Sequence, residues 1–266
     1  MLNLAMLGAS GRMGRTVVPL VVESTDLRLS GALAAPGDAS IGQDAGVVAG
    51  TVPVAVAVTS DPIRALDGAQ VAIDFTLPAA SLANARACRE RGIPLVIGTT
   101  GHDDLARAEI EKIAESIPVV MAPNMSLGVN LMFKLAELAA RALDEGYDAE
   151  IFEAHHRRKV DAPSGTALGL GRAVAQGRGI SLDEAAVYAR QGTTGPRAAG
   201  TIGFSVLRGG DIVGDHRVIF AGPGEQVELA HHAQDRSGFA RGALAAARWV
   251  VGRPPGLYSM LDVLGL

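Results

Sequence analysis

Apolar positions in the first half of the chain come in short runs separated by segments of helical period. Residues 2–7 form the first run, a glycine-rich turn follows, and Thr16, Val17, Val18, Leu20 and Val21 continue at helical spacing. Further runs at 52–58, 71–75, 95–97 and 119–122 alternate with helix-like segments at 79–91 and 103–116. Strands alternating with helices predict an α/β fold, a doubly wound and mostly parallel sheet that takes ligands at the carboxyl ends of its strands. From residue 126 the pattern changes. Residues 127–143 read as a long helix and 149–154 as a strand, and a helix capped by Ser164 runs through Thr166, Leu168, Leu170, Ala173 and Val174. Runs at 201–207, 212–215, 216–220 and 226–230, with glycine turns between them, predict antiparallel strands. A closing helix over 238–251 packs back on the first domain, which makes the second an insertion. The expected division is 1–126 completed by 236–266, with 127–235 forming an α+β domain on a mixed, largely antiparallel sheet.

Composition narrows the classes. A chain of 266 residues with 33 glycines, 48% hydrophobic and 4% aromatic residues and a net charge of −4 fits a compact α/β protein. The acidic balance and few rings argue against a nucleic-acid partner. Cys88 is the single cysteine, so no internal disulfide forms and a thiolate zinc site is excluded. No apolar run reaches the roughly 20 residues that span a bilayer, and the N-terminus lacks a basic leader, so no membrane association and cytoplasmic residence are expected.

Two stretches carry the chemistry. Gly8-Ala9-Ser10-Gly11-Arg12-Met13-Gly14 follows the first strand and opens a helix, the arrangement in which glycines let the backbone approach a pyrophosphate at a helix N-terminus. Gly98-Thr99-Thr100-Gly101 and Ala122-Pro123-Asn124-Met125 end later strands and line the same edge. Where a carboxylate for NAD or an arginine for NADP is expected, about 20 residues beyond the glycines, the chain has Ala34 and Ala35, with Asp38 beyond Pro36. The second stretch runs from Glu153 to Thr166. It packs His155, His156, Arg157, Arg158 and Lys159 together in an acidic chain, then breaks at Pro163 and restarts as a helix whose Gly165 and Thr166 amides suit a carboxylate. That is an anion pocket with a proton donor, and a small polycarboxylate fits it. The histidine pairs 155–156 and 231–232 lack metal-site spacing, so no metal is expected.

These motifs, with Asp74-Phe75-Thr76, Asn124-Met125-Ser126-Leu127-Gly128-Val129-Asn130, Gly210-Asp211-Ile212-Val213-Gly214-Asp215-His216 and Gly256-Leu257-Tyr258-Ser259-Met260-Leu261-Asp262-Val263-Leu264, run in order from end to end and together resemble the 4-hydroxy-tetrahydrodipicolinate reductase family, formerly called dihydrodipicolinate reductase. The resemblance implies a Rossmann-like first domain and an inserted substrate-binding and oligomerisation domain. It also implies reduction of a cyclic dicarboxylate with NADH or NADPH, on the diaminopimelate route to lysine, by a homotetramer. His155 is then a general acid or base, Lys159 a second proton donor, and His156, Gly165 and Thr166 bind substrate carboxylate. Gly8, Ala9, Ser10, Gly11, Arg12, Met13, Gly98, Thr99, Thr100, Ala122, Pro123, Asn124 and Met125 contact the coenzyme. Ala34 and Ala35 replace the family's acidic residue and arginine, which leaves coenzyme choice open, and the loop Gln191-Gly192-Thr193-Thr194-Gly195-Pro196 stays unassigned between lid and subunit contact. Another nicotinamide-dependent dehydrogenase would need its own substrate motif, and Cys88 in a helical stretch supplies none. A non-catalytic dinucleotide-binding redox sensor leaves Lys159 and Pro163-Ser164-Gly165-Thr166 without a purpose.

Overall fold

The computed structural model describes residues 1–143 and 146–266. In chain order the first elements are β1 (Leu2–Leu7), α1 (Gly14–Val22), β2 (Leu27–Leu33), α2 (Ala45–Val48), β3 (Val58–Thr59), α3 (Pro62–Ala65), β4 (Val71–Asp74), α4 (Pro78–Glu90), β5 (Leu95–Ile97), α5 (Asp104–Ala114) and β6 (Pro118–Met121). Next come α6 (Leu127–Ala142), β7 (Asp148–His155), α7 (Gly165–Arg178), α8 (Leu182–Ala185), β8 (Ala186–Val187), β9 (Ile202–Arg208), β10 (Gly214–Gly222) and β11 (Glu225–Ala233). The chain closes with α9 (Ser237–Val250), β12 (Gly256–Tyr258) and α10 (Met260–Leu264). Contacts divide it into one unit of Met1–Leu127 with Arg236–Leu266 and a second of Gly128–Asp235.

The first unit is a fully parallel seven-stranded sheet in the order β12-β6-β5-β4-β1-β2-β3. Alternate residues of β1 enter different cores, as burial on both faces of a parallel sheet requires. Leu4 and Met6 pack with Val17, Val18 and Val21 of α1 and with α9, whereas Ala5 and Leu7 pack with Cys88, Ile110 and Ile113 from α4 and α5. The C-terminal segment thus supplies a helix and an edge strand to the sheet that the N-terminus began. Its approach is close, because a Cβ at Gly242 would lie 1.7 Å from the Met125 carbonyl oxygen. Strand order reverses between β1 and β4, so the crevice beyond their carboxyl ends is the place where such sheets bind nucleotides.

Three strand boundaries differ from the sequence reading. The second strand is β2, and of residues 52–58 only Val58, with Thr59, joins the ladder. Pro53 has no amide to donate, and Ala55 lies at φ 58, outside the extended region. The amide of Val54 bonds instead to the Asp44 carboxylate. Residues 216–222 and the end of the 212–215 run form one strand, β10.

The second unit is a five-stranded mixed sheet, β11-β10-β7-β9-β8, with antiparallel pairing of β10 to both β11 and β7 and parallel pairing of β9 to β7 and β8. Ala149, Ile151, Ile202, Phe204, Val218 and Phe220 form its apolar inner face, under Met132 and Ala136 of α6 and Leu170 and Val174 of α7. Among the described residues no helix is long and apolar enough to cross a membrane.

Gly242→Ala should destabilise the protein by about 2 kcal/mol, because the new methyl meets backbone rather than a movable side chain. Urea unfolding monitored by circular dichroism measures this, and an unchanged midpoint would refute the close contact.

Candidate active site

Two sets of residues have the makings of a site, one in each unit. In the first unit the chain turns sharply after β1. Gly8 sits at φ +88, and a Cβ there would lie 2.8 Å from the Phe75 carbonyl oxygen at the end of β4, while a Cβ at Gly14 would lie 2.3 Å from the Gly8 oxygen. Only glycine permits that packing. The amides of Gly8 and Ala9 donate to the Leu33 carbonyl and that of Gly11 to Gly8, whereas the amides of Ser10, Arg12 and Met13 have no partner among the described residues. Unpartnered amides at the start of α1 fit the pyrophosphate of a dinucleotide.

The neighbouring turns are fixed by Asp74, whose fully buried carboxylate accepts from the Thr76 amide at 2.9 Å, the Thr76 hydroxyl at 2.8 Å, the Thr99 hydroxyl at 2.7 Å and the Asn84 side-chain amide at 2.8 Å. Gly98 has no side chain because the Phe75 ring fills that space, 2.1 Å from an added Cβ. Thr100, Gly101, Ala122 and Pro123 line one cavity of about 230 Å³, together with His102. Burial holds the His102 imidazole below its ordinary pKa, and neither ring nitrogen has a hydrogen-bond partner among the described residues. Several expected contacts turn away from such a ligand. The Thr99 hydroxyl faces Asp74, and Ala9 and Met125, each 2% exposed, have their side chains in the core, so these two offer a ligand only backbone.

In the second unit the inner face of the sheet changes from apolar to ionisable at one end. Register sets this: Glu153 of β7 lies opposite His216 of β10 and His155 opposite Arg208 of β9. Glu153, 1% exposed, accepts Nδ1 of His155 at 2.5 Å, both terminal nitrogens of Arg208 at 2.8 Å and the Ser164 amide at 3.0 Å. Burial opposes its ionisation, but the bonds from Arg208, His155 and Ser164 outweigh that and hold the carboxyl below its usual range. Ser164 caps α7 by accepting from the Ala167 amide, and its hydroxyl lies 3.2 Å from Nε2 of His216. The His155 and His216 rings meet edge to face, 5.1 Å apart.

His155 is committed at Nδ1, so Nε2 is its working nitrogen. That atom lies against Gly214, where a Cβ would come within 3.1 Å. Burial lowers the His155 pKa and the Glu153 carboxylate pulls it back up, the net result lying below the ordinary imidazole value. Lys159 bonds to Asp161 at 2.8 Å. Arg157 and Arg158 point to solvent, so the cation run splits, and Arg208, half-buried and 50 residues downstream of Arg158, supplies the positive charge that pairs with the buried Glu153. Gly165 begins α7, and its amide has no partner among the described residues.

Comparison with known proteins bears on both halves. The N-terminal model of the family described as dihydrodipicolinate reductase matches residues 2–125, and the C-terminal model of that family matches residues 128–264. The chain belongs to the dihydrodipicolinate reductase family. Among family members named 4-hydroxy-tetrahydrodipicolinate reductase, that of Thiobacillus denitrificans is 57% identical over 99% of this chain and 98% of its own, and that of Chromobacterium violaceum is 52% identical over 99% and 98%. A dihydrodipicolinate reductase from Paenisporosarcina sp. TG-14, solved with dipicolinate bound, superposes with a TM-score of 0.78 at 25% identity, covering 98% of each chain. An amine dehydrogenase from Mycobacterium smegmatis shares the fold alone, with a TM-score of 0.60 at 13% identity over 97% of this chain and 94% of its own.

Within this family member, Glu153, Arg208 and His216 had no role in the sequence reading, although all three lie in or beside its motifs. The signal lay in β-strand register, which no single motif contains.

His216 is 4% exposed, and burial, reinforced by His155, lowers its pKa to about 4. The unfolded chain therefore binds the proton first. This contribution to stability is complete above about pH 6.5 and is lost as pH falls towards 4, amounting to about 2 kcal/mol between pH 7.5 and 5. Urea midpoints at these two pH values should differ less in His216→Asn than in the parent protein; equal differences would refute the buried neutral imidazole.

Proposed function

We propose that this chain reduces 4-hydroxy-tetrahydrodipicolinate to tetrahydrodipicolinate, with release of water and consumption of one proton, using NADH or NADPH in lysine biosynthesis by the diaminopimelate route. The observation that carries the proposal is the Glu153–His155 pair beside the N-terminus of α7, an acid and an anion-binding end brought together in a chain of this family. The dinucleotide, when bound, supplies a hydride.

The protein's part is binding and proton transfer. Lys159, His156 and the α7 start at Gly165 and Thr166 hold the substrate carboxylates, which fixes the ring and opposes the negative charge. Loss of the substrate hydroxyl as water leaves a conjugated ring that accepts the hydride. The electron density so formed takes a proton, and Nε2 of His155 delivers it, with Lys159 as second donor. Glu153 acts through His155: by accepting Nδ1–H it fixes the tautomer and leaves Nε2 as the nitrogen that can exchange a proton. In the free protein His155 is mostly neutral near pH 7, because burial lowers its pKa. An arriving dicarboxylate brings negative charge to the imidazole and raises that pKa, so substrate binding itself charges the acid.

A homotetramer joined through the second sheet is part of the same proposal. The sheet's outer face carries the half-buried Phe152 and Ile219, with the Arg217 guanidinium 6.0 Å from the Phe152 ring centre. Light scattering of the purified chain should give four times the mass of one chain, and a monomer would reject this part.

Turnover is tested by following coenzyme oxidation with substrate generated in place from pyruvate and aspartate semialdehyde. His155→Ala should lower kcat by about a hundredfold or more. Since the acid must be protonated, activity falls as pH rises through its pKa, and the alkaline limb should lie higher in kcat than in kcat/KM. Glu153→Gln, which removes the charge that favours imidazolium, should move that limb to lower pH. Full activity of His155→Ala would eliminate the assignment.

A further inference from the structure

Parallel-sheet dinucleotide sites read the adenosine ribose with an acidic side chain at the end of the second strand. In this chain β2 ends at Leu33, and the next residue, Ala34, is 4% exposed and part of the core. The chain then reverses. The Asp38 amide donates to the Ala35 carbonyl at 3.0 Å, Pro36 takes the second position of the turn, and Gly37 takes the third at φ +82, the arrangement of a type II turn. The reversal brings Asp38 onto the glycine loop, where its Oδ2 accepts the Ser10 hydroxyl at 2.7 Å. Its Oδ1 accepts the Ser40 amide at 2.8 Å and the Ser40 hydroxyl at 2.7 Å.

We propose that Asp38 replaces the missing strand-end acid, reads the adenosine ribose through Oδ2, and makes NADH the preferred coenzyme. The inference rests on the reading that the ligand of the glycine loop is NADH or NADPH. Each carboxylate oxygen has two acceptor positions, and Oδ2 uses one of them for Ser10, so the other is available to a ribose hydroxyl. The Ser40 hydroxyl and amide, with the Ser10 hydroxyl, hold the carboxyl at a pKa of about 2, so it is ionised at neutral pH. A 2′-phosphate in that position faces a fixed negative charge. Arg15 lies in the field of Asp38, but its Nε is committed to the Ser10 carbonyl at 2.9 Å. Ser10 thus joins the carboxylate to the loop that would carry the pyrophosphate, which keeps the two recognition elements in register.

The test is calorimetric titration of the full chain with NADH and NADPH, without substrate. The parent protein should bind NADH more tightly, and Asp38→Asn, which keeps the shape of the side chain, should weaken NADH binding about tenfold and bring the two dissociation constants together. ADP-ribose and its 2′-phosphorylated form should repeat the pattern, which assigns the effect to the ribose end. Ser10→Ala, which frees the carboxylate from the loop, should shift the ratio in the same direction by less. A parent preference for NADPH, or a ratio unchanged in a well-folded Asp38→Asn, would overturn the assignment while leaving the nicotinamide reading intact. Binding of neither coenzyme by the folded parent protein would overturn both.

Discussion

The chemistry of the second unit depends on one buried carboxylate. Glu153 receives Arg208 as a two-pronged partner, His155 through Nδ1 and the backbone amide of Ser164, and so joins β7, β9 and the start of α7. A charge with 1% exposure persists only when its hydrogen-bonding capacity is filled, since desolvation otherwise favours the neutral acid. Here both oxygens are occupied. The arrangement aims one imidazole, fixes its tautomer and sets the position of a helix N-terminus with a single side chain. A buried ion pair of this kind adds little net stability over an apolar replacement, but losing one member leaves the other charged and unpaired, typically at a cost of about 3–5 kcal/mol. The site is therefore rigid because its alternatives are expensive.

Asp74 has the corresponding place in the first unit, with a different chemistry. Its partners are neutral hydroxyls and amides from the turn after β4, from α4 and from the turn after β5, and they tie three segments at the carboxyl edge of the sheet. With that edge fixed, the close contacts of Gly8 with Phe75 and of Gly98 with the Phe75 ring follow, and the glycine loop is left with amides that bond nothing else. The C-terminal segment completes this unit through α9, and Gly242 allows that helix to reach the Met125 carbonyl.

Much of this was legible along the chain. The parallel sheet, the glycine loop, the turns at 98–101 and 122–125 and the block from 153 to 166 are contiguous strings, and each carries its own signal of period, turn chemistry or charge. Less legible were the strand limits. Residues 52–58 are as apolar as a strand, yet Pro53 and the left-handed Ala55 break the pairing, while β2 is the strand that occupies the sheet. Contiguous in sequence, the cation run does not act as one group. In the fold it divides, with Arg157 and Arg158 in water, Lys159 on Asp161, and Arg208 from another strand on Glu153.

By itself the sequence determined the family, the succession of elements and the residues able to hold an anion and move a proton, because those depend on local composition and spacing. The tertiary structure decided which nitrogen of His155 is available, which cation pairs with the buried Glu153, why His216 stays neutral and where Asp38 lies relative to Ser10. Those outcomes depend on the register of β7 with β9 and β10 and on a turn that reverses the chain after β2. Register joins residues some 50 positions apart by hydrogen bonds between backbones, and backbones carry the same groups at nearly every residue, so the pairing is written in packing rather than in any local motif.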